Sequence, residues 1–153
     1  MHQYQAEILW QRRDQAFTDN QYSRAHQWQF DGGLVVPASS SPLSVPLPMS
    51  ATGNVDPEEA LVAALASCHM LFYLSFACKR GYVIDEYKDL SVGVMRKNTK
   101  GKMAITHIHL RPKEIYTGEK QPDRQEREDM HHLAHEQCYI ANSIIAEVII
   151  ELD

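Results

Sequence analysis

The stretch DPEEALVAALASCH, residues 56–69, opens a long, mostly apolar segment without charge and decides the fold of the chain. Asp56 suits the N-cap of a helix, and the proline after it suits the first helical position. Glu59 stands at the spacing of a capping box. The pattern therefore predicts a helix that runs to about Arg80 and ends at Gly81, a residue that favours helix ends.

This helix is apolar or small on almost every face. From Ala60 to Cys78 there is no charged residue, and the segment nearly reaches membrane-spanning length. Polar residues interrupt it, and they favour a helix buried in protein over one in lipid. Because a chain of 153 residues can hardly surround a helix that is apolar all round, we expect a partner subunit to cover it.

Length and composition fit one domain, residues 1–153. Apolar residues make up 44% and charged residues 23%, which is ordinary for a globular protein. The formal net charge of -5, without a run of Lys and Arg, argues against nucleic acid as a partner. The polar amino-terminal stretch lacks the apolar core of a secretory signal, so a cytoplasmic location is expected and a membrane is not.

The remaining elements flank the helix on both sides. Alternating apolar residues predict strands before it, with Arg24 and His26 on one face of the second strand. A proline-rich stretch is expected to form a loop, and a second helix is expected to turn Met130, Leu133, Ala134 and Gln137 inward. The predicted ranges are strands 2–10, 21–30, 34–36, 87–96, 102–116 and 144–152, turns 31–33 and 98–101, loop 37–48 and helix 122–138. The order predicts an α+β fold with a mainly antiparallel sheet.

Three cysteines are too few, and odd in number, for a disulfide framework. Cys68 is either a small buried core residue or a reactive thiol, which requires a nearby cation such as Arg24. Cys138 could meet Cys68 if the two helices pack, and such a pair suits attack on a peroxide followed by disulfide formation. Cys78 lies about 15 Å from Cys68 along the same helix, so it is expected to be a core residue without a role.

A metal site is an alternative. His131, His135 and Cys138 share one face of the second helix, and His69 could add a fourth ligand. Their spacing matches no common zinc motif, and an ordinary polar helix face would account for the same pattern.

Residues 56–69 resemble the cysteine helix of the OsmC/Ohr family of osmotically inducible and organic-hydroperoxide-resistance proteins. The segment AHEQC, residues 134–138, resembles the region of the second cysteine of that family, and the order of elements agrees over the whole chain. Two departures are His69, which follows the first cysteine, and Tyr139, which stands where the family commonly has proline.

The resemblance implies an intertwined α+β homodimer that reduces organic hydroperoxides, in some members with a lipoylated protein or another dithiol as reductant. Cys68 matches the attacking cysteine and Cys138 the resolving one. Glu58 matches a glutamate that pairs with an activating arginine, for which Arg24 is the best match and residues 12 and 13 are alternatives. No cofactor is implied.

The departures leave other functions open. The same fold could bind a small apolar ligand, or sense oxidants, without efficient turnover. Residues such as Leu65 and Phe72, close to Cys68 on the helix, would favour alkyl peroxides over hydrogen peroxide by burying the organic group.

Overall fold

The computed structural model describes residues 1–153 and divides the chain into two compact units, Met1–Ala60 and Leu61–Asp153. The single-domain assignment made from the sequence stays a prediction. Ten regular elements and a short 3-10 turn follow one another along the chain: β1 Ala6–Leu9, β2 His26–Phe30, β3 Val35–Ala38, α1 Pro57–Lys79, β4 Val83–Asp89, β5 Val92–Lys97, β6 Met103–Leu110, β7 Pro112–Thr117, α2 Arg124–Gln137, the turn Ala141–Ser143 and β8 Glu147–Ile150.

The first unit contains an antiparallel sheet in the order β1-β2-β3. The predicted hairpin is present, but β1 and β2 are shorter than expected, and Arg24 lies before β2 rather than on a strand face with His26. Pro37 belongs to β3 and not to the loop. A proline fits there because β3 is an edge strand, where no outer neighbour needs its backbone N–H.

Helix α1 begins with the predicted capping box. The Glu59 backbone N–H donates to Asp56 Oδ1 at 2.8 Å, and the Asp56 N–H donates to Glu59 Oε2 at 3.3 Å. Gly81, with φ of +79°, follows the helix end in the left-handed conformation that glycine adopts without strain. The predicted start and end of α1 are confirmed.

The second unit packs two helices with two sheets, β4-β7 and β5-β6-β8. Two predicted strands are each two strands here, with breaks at residues 90–91 and at residue 111. All pairings in this unit are antiparallel except β6 with β8, which is parallel. The predicted α+β class with mainly antiparallel sheets is confirmed.

Close packing brings α1 against β5. A Cβ added to Gly93 would lie 2.7 Å from Val62 Cγ2, a separation that real side chains do not adopt. The absence of a side chain at Gly93 therefore allows α1 to pack closely against β5.

Two groups of buried residues form the interior of the second unit. One gathers around Tyr73, Tyr82 and Met130, the other around Leu65, Ile108 and Cys138. Helix α2 contributes His131 to the interior and leaves Leu133 half-buried, whereas Gln137 is exposed, so the predicted inner stripe is wrong at Gln137. The imidazole is buried because it finds hydrogen-bond partners on both sides.

Helix α1 is not covered on all sides within one chain. Its exposed residues recur at helical spacing along one stripe: Ala64, Ser67, Leu71, Ser75 and Cys78. The prediction of a core position for Cys78 is wrong, because this residue continues the exposed stripe. By length and hydropathy alone α1 could also cross a membrane: an 18-residue window has mean hydropathy 1.8, with 22% of its residues buried.

Candidate functional site

The second unit brings together two cysteines that are 70 residues apart in sequence. Cys68 lies half-buried on α1, and Cys138 lies fully buried at the C-cap of α2. Both side chains pack in the group around Leu65 and Ile108, and both are free thiols. The two cysteines therefore share one apolar environment, and their action as a pair stays a prediction.

The Cys138 thiol has a strongly altered acidity. Burial raises its pKa to about 11, and the neighbouring Cys68 thiol adds to this rise. The Ala141 backbone N–H donates to Cys138 Sγ at 3.4 Å and opposes the rise in part. At neutral pH Cys138 is thus a protonated thiol, and it must lose its proton before it can act as a nucleophile.

Apolar and aromatic side chains surround the two thiols. Phe72 packs against the group that contains Cys138, and the Tyr139 ring meets the Phe72 ring edge to face at 5.1 Å between centroids. Tyr139 itself is 70% exposed. The residue that replaces the common family proline therefore adds an aromatic ring at the border between the thiol group and solvent.

Arg24 lies in the first unit, on the segment before β2. Its guanidinium donates to the carbonyl oxygens of Asn20, at 3.1 Å, and of Tyr22, and to Asn20 Oδ1 at 2.6 Å. The guanidinium also lies 3.8 Å from the centre of the Tyr22 ring. Several of its donors are thus engaged within its own loop, and its predicted role beside Cys68 stays a prediction.

Glu58 occupies the first turn of α1. Its Oε2 atom is buried and has no hydrogen-bond partner. A buried carboxylate oxygen without a donor is unfavourable, and it is the kind of group that a cationic side chain would satisfy. Its pairing with an arginine also stays a prediction.

The alternative arginines lie in the same unit. Arg12 donates to the Gln15 carbonyl at 2.7 Å. Arg13, with φ of +52°, borders a cavity of about 380 Å³ whose lining comes from the first unit and includes Leu9, His26 and Asn54. None of the four predicted site residues lines this cavity.

The metal alternative finds no support in the geometry. No three His, Cys, Asp or Glu side chains are grouped so that they could hold a metal ion. Both ring nitrogens of His131 are already engaged, one with His69 and one with Glu114. Sequence reasoning missed Glu114 as a partner of these histidines because it lies on a strand, far from the helical motif that drew attention to them.

Similarity to known proteins agrees with this architecture. Residues 50–153 match a family model described as OsmC-like protein. The chain is 53% identical to an OsmC-like protein of unknown function from Vibrio cholerae, with a TM-score of 0.98 and 100% of each chain covered. No curated protein sequence matches the chain.

Two more distant structures share the fold. An organic hydroperoxide resistance protein OsmC from Legionella pneumophila is 17% identical, with a TM-score of 0.68 over 99% of this chain and 96% of that one. The organic hydroperoxide resistance protein OhrB of Bacillus subtilis is 18% identical, with a TM-score of 0.64 over 98% of each chain. At these identities the likeness establishes the fold alone.

Proposed function

Because the chain belongs to the family of OsmC-like proteins, we propose that it is a thiol-dependent peroxidase that reduces organic hydroperoxides with Cys68 and Cys138. The observation that carries this proposal is the packing of both cysteines in one apolar group inside the second unit. Solved structures with the same fold include organic hydroperoxide resistance proteins, which supports a role in the response to oxidative stress.

The reaction proceeds in two steps. The Cys68 thiolate attacks one oxygen of the peroxide, the O–O bond breaks, and the products are an alcohol and a Cys68 sulfenic acid. Cys138 then attacks the Cys68 sulfur, a disulfide forms and water leaves. The half-buried Cys68 suits the attack because it can meet a substrate, and the buried Cys138 suits the second step because it meets only Cys68.

Arg24 and Glu58 are the proposed activating pair. An arginine beside Cys68 would favour the thiolate and could hydrogen-bond the peroxide. The unpartnered Oε2 of Glu58 supports a role in holding that arginine. Glu58 and Cys68 are ten residues apart on one helix and are too far apart along it to share one site within a chain. Glu58 of one chain would therefore hold the arginine beside Cys68 of the other, in a homodimer in which two copies of α1 cross.

The surroundings of Cys68 favour organic over inorganic peroxides. Leu65 and Phe72 belong to the same apolar group and can bury an alkyl or aryl substituent, which hydrogen peroxide lacks. A dithiol or a lipoylated protein would then reduce the disulfide and complete the cycle.

Single-cysteine variants test the proposal. Cys68→Ser is expected to abolish turnover of cumene hydroperoxide, and Cys138→Ser is expected to allow one oxidation per chain without further turnover. Cys78→Ser is the matched control, because this cysteine is exposed and plays no part in the reaction. Turnover is followed with a dithiol reductant, and mass spectrometry after a peroxide titration should find a Cys68–Cys138 disulfide. Full turnover by Cys68→Ser would contradict the proposal.

A further inference from the structure

A row of buried polar side chains crosses the interior of the second unit. Glu114 Oε1 lies 2.6 Å from His131 Nε2, and His131 Nδ1 lies 3.0 Å from His69 Nε2. The three side chains are at most 1% exposed. They join β7, α2 and α1, so the row is a polar link between the helix that carries Cys68 and the helix that ends at Cys138.

One hydrogen bond joins the two imidazoles whatever the charge of His131. The Glu114 carboxylate only accepts, so His131 Nε2 carries a proton. If His131 is neutral, its Nδ1 accepts from His69 Nε2–H, and if it is an imidazolium, its Nδ1–H donates to His69 Nε2. The rings are parallel within 3°, with 5.3 Å between centroids. Because hydrogen bonds weaken steeply outside a narrow range of distance and angle, this contact fixes one helix against the other.

The other side chains between α1 and α2 are apolar or aromatic. Met130 and Ala134 of α2 pack in one group with residues of the buried stripe of α1. That stripe recurs every four residues: Leu65, His69, Tyr73 and Ala77. Apolar contacts have no preferred direction, so they alone would allow the helices to slide and repack.

A slide by one helical turn would move the helices about 5.4 Å along one another. Leu65 or Tyr73 would then stand opposite His131 in place of His69. The facing ring nitrogens would be buried without a partner, which is unfavourable. Buried polar contacts of this kind specify one register among several that apolar packing would allow.

The row is anchored on β7. Arg127 donates to the second oxygen of Glu114 at 2.6 Å, and the hydroxyl groups of Tyr116 and Tyr73 are hydrogen-bonded. Helix α1, helix α2 and strand β7 are thus joined in pairs, and movement of either helix would break at least one of these contacts.

The contact also leaves one polar atom unsatisfied. His69 Nδ1 is buried without a hydrogen-bond partner, and such an atom destabilises a fold. An apolar side chain would avoid this loss, since the rest of the stripe is apolar or aromatic. The presence of an imidazole here is better explained by the position that it imposes on the helices than by a gain in stability.

The two thiols require one register. Cys68 precedes His69 on α1, and Cys138 follows His131 by seven residues, about two turns of α2. Each helix moves as a rigid element, so a displacement at the histidines is carried to the cysteines. The Cα atoms of a disulfide lie about 4.4 to 6.8 Å apart, and a displacement of one turn exceeds this range.

We propose that the contact of His69 with His131 sets the register of α1 on α2 in which Cys68 and Cys138 can form a disulfide. This proposal rests on the thiol pair of the proposed function. His69, His131 and Glu114 are positioning residues, which act through the helices and exchange no proton with either thiol. The histidine that departs from the family pattern thereby takes part in the reaction.

The test measures the effective concentration of the two thiols in the folded chain with Cys78→Ser. The reduced chain is equilibrated with glutathione at fixed pH. One oxidised glutathione takes two electrons and two protons from the two thiols, a Cys68–Cys138 disulfide forms, and two reduced glutathione molecules result. Mass spectrometry after acid quenching gives the fraction of each form. The equilibrium constant reports the geometry of the pair and not the global stability, as long as the chain is folded.

Two amide variants form a matched pair. The amide of glutamine reaches the position of the imidazole Nε2 and can donate to or accept from His131, whereas the amide of asparagine reaches only the position of Nδ1. His69→Gln is expected to keep the equilibrium constant near the wild-type value. His69→Asn and His69→Leu are expected to lower it at least about tenfold, because effective concentration falls steeply with misplacement.

Met130→Ala is the control for lost packing. Met130 is fully buried between the same helices and makes no polar contact there, so this variant should lose stability and keep the equilibrium constant. Urea denaturation establishes that each variant is folded under the assay conditions.

Equal constants for His69→Gln and His69→Asn would overturn the proposal. A constant that falls as far in Met130→Ala as in His69→Asn would also overturn it, because packing alone would then set the register. Failure of both His69→Asn and His69→Leu to fold, with Met130→Ala folded, would assign the row to stability and refute the positioning role.

These results are separable from the peroxidase assay, because no peroxide enters the measurement. A wild-type chain that forms the disulfide but does not turn over cumene hydroperoxide would remove the proposed function and leave the positioning role. Full peroxide turnover with equal constants for the two amide variants would remove the positioning role alone. A wild-type chain that forms no Cys68–Cys138 disulfide would remove both.

Discussion

Cys78 and Cys138 have the same side chain in opposite environments. Cys78 is exposed on the outer stripe of α1, whereas Cys138 is 0% exposed between helix and sheet. The thiolate is the reactive form of a cysteine, so burial limits both the access of reagents to Cys138 and its ionisation. This contrast makes alkylation a direct probe of the interior of the second unit.

The alkylation of individual cysteines should follow this contrast. With iodoacetamide at neutral pH, Cys138 is expected to remain unmodified, because burial raises the pKa of Cys138 to about 11, whereas Cys78 is expected to react in any chain whose outer stripe is uncovered. Raising the pH toward that value should lead to alkylation of Cys138 in the folded protein, because its thiol then ionises. Peptide mass spectrometry measures each site, and a denatured sample is the control in which all three cysteines react. Rapid labelling of Cys138 at neutral pH would contradict the packing described here.

At the scale of elements, α1 carries more apolar surface than its own chain covers. Leu71 is 61% exposed at the centre of the outer stripe, although the helix interior around Leu65, His69 and Tyr73 is fully buried. An exposed apolar stripe of this kind is typical of a surface for a partner. We therefore propose that the outer stripe of α1 forms the interface of the homodimer.

A charge placed on this stripe tests the homodimer. Leu71→Lys is expected to convert a dimer to monomers, because a desolvated ammonium at a helix interface is costly, while lysine remains a good helix former. Light scattering after size exclusion measures the mass. Ile145→Lys is the matched control, since Ile145 is 91% exposed in the second unit and lies outside the helix. A wild-type chain that is monomeric at all concentrations would contradict this interpretation of α1.

For the molecule as a whole, the buried row of Glu114, His131 and His69 links folding to pH. The unfolded chain binds a proton at His69 near its ordinary pKa of 6.5, whereas the folded chain does so only near 3. Between these values the unfolded state holds more protons, so stability falls as the pH falls. The lowered pKa of Glu114 acts in the same direction at more acidic pH.

The free energy of unfolding should record this linkage. In urea denaturation followed by circular dichroism, the wild-type chain is expected to lose stability from about pH 7 toward about pH 4. His69→Gln should show a shallower loss over the same range, whatever its stability at neutral pH. The control His132→Gln, altered at an exposed position, should keep the wild-type slope. Parallel curves for His69→Gln and wild type would show that His69 does not carry the effect.

Local chemistry in the sequence determined the two ends of α1 and one turn between strands. The capping box at Asp56 and Glu59, the left-handed glycine at residue 81 and the turn at residues 98–101 depend on contacts between near neighbours, so they could be predicted. The class of fold followed from the order of these elements. The strand breaks near residues 90 and 111 were missed, because they arise where the chain passes between two sheets.

Only the tertiary structure decided which residues meet. The contact of Cys68 with Cys138 could be proposed from a family resemblance, but periodicity alone cannot show that two helices pack at those positions. His69 and His131 are 62 residues apart, and Glu114 joins them from a strand, so no local pattern marks the row. The outward position of Cys78 was likewise unpredictable, because a helix that is apolar on every face does not indicate which side the rest of the chain will cover.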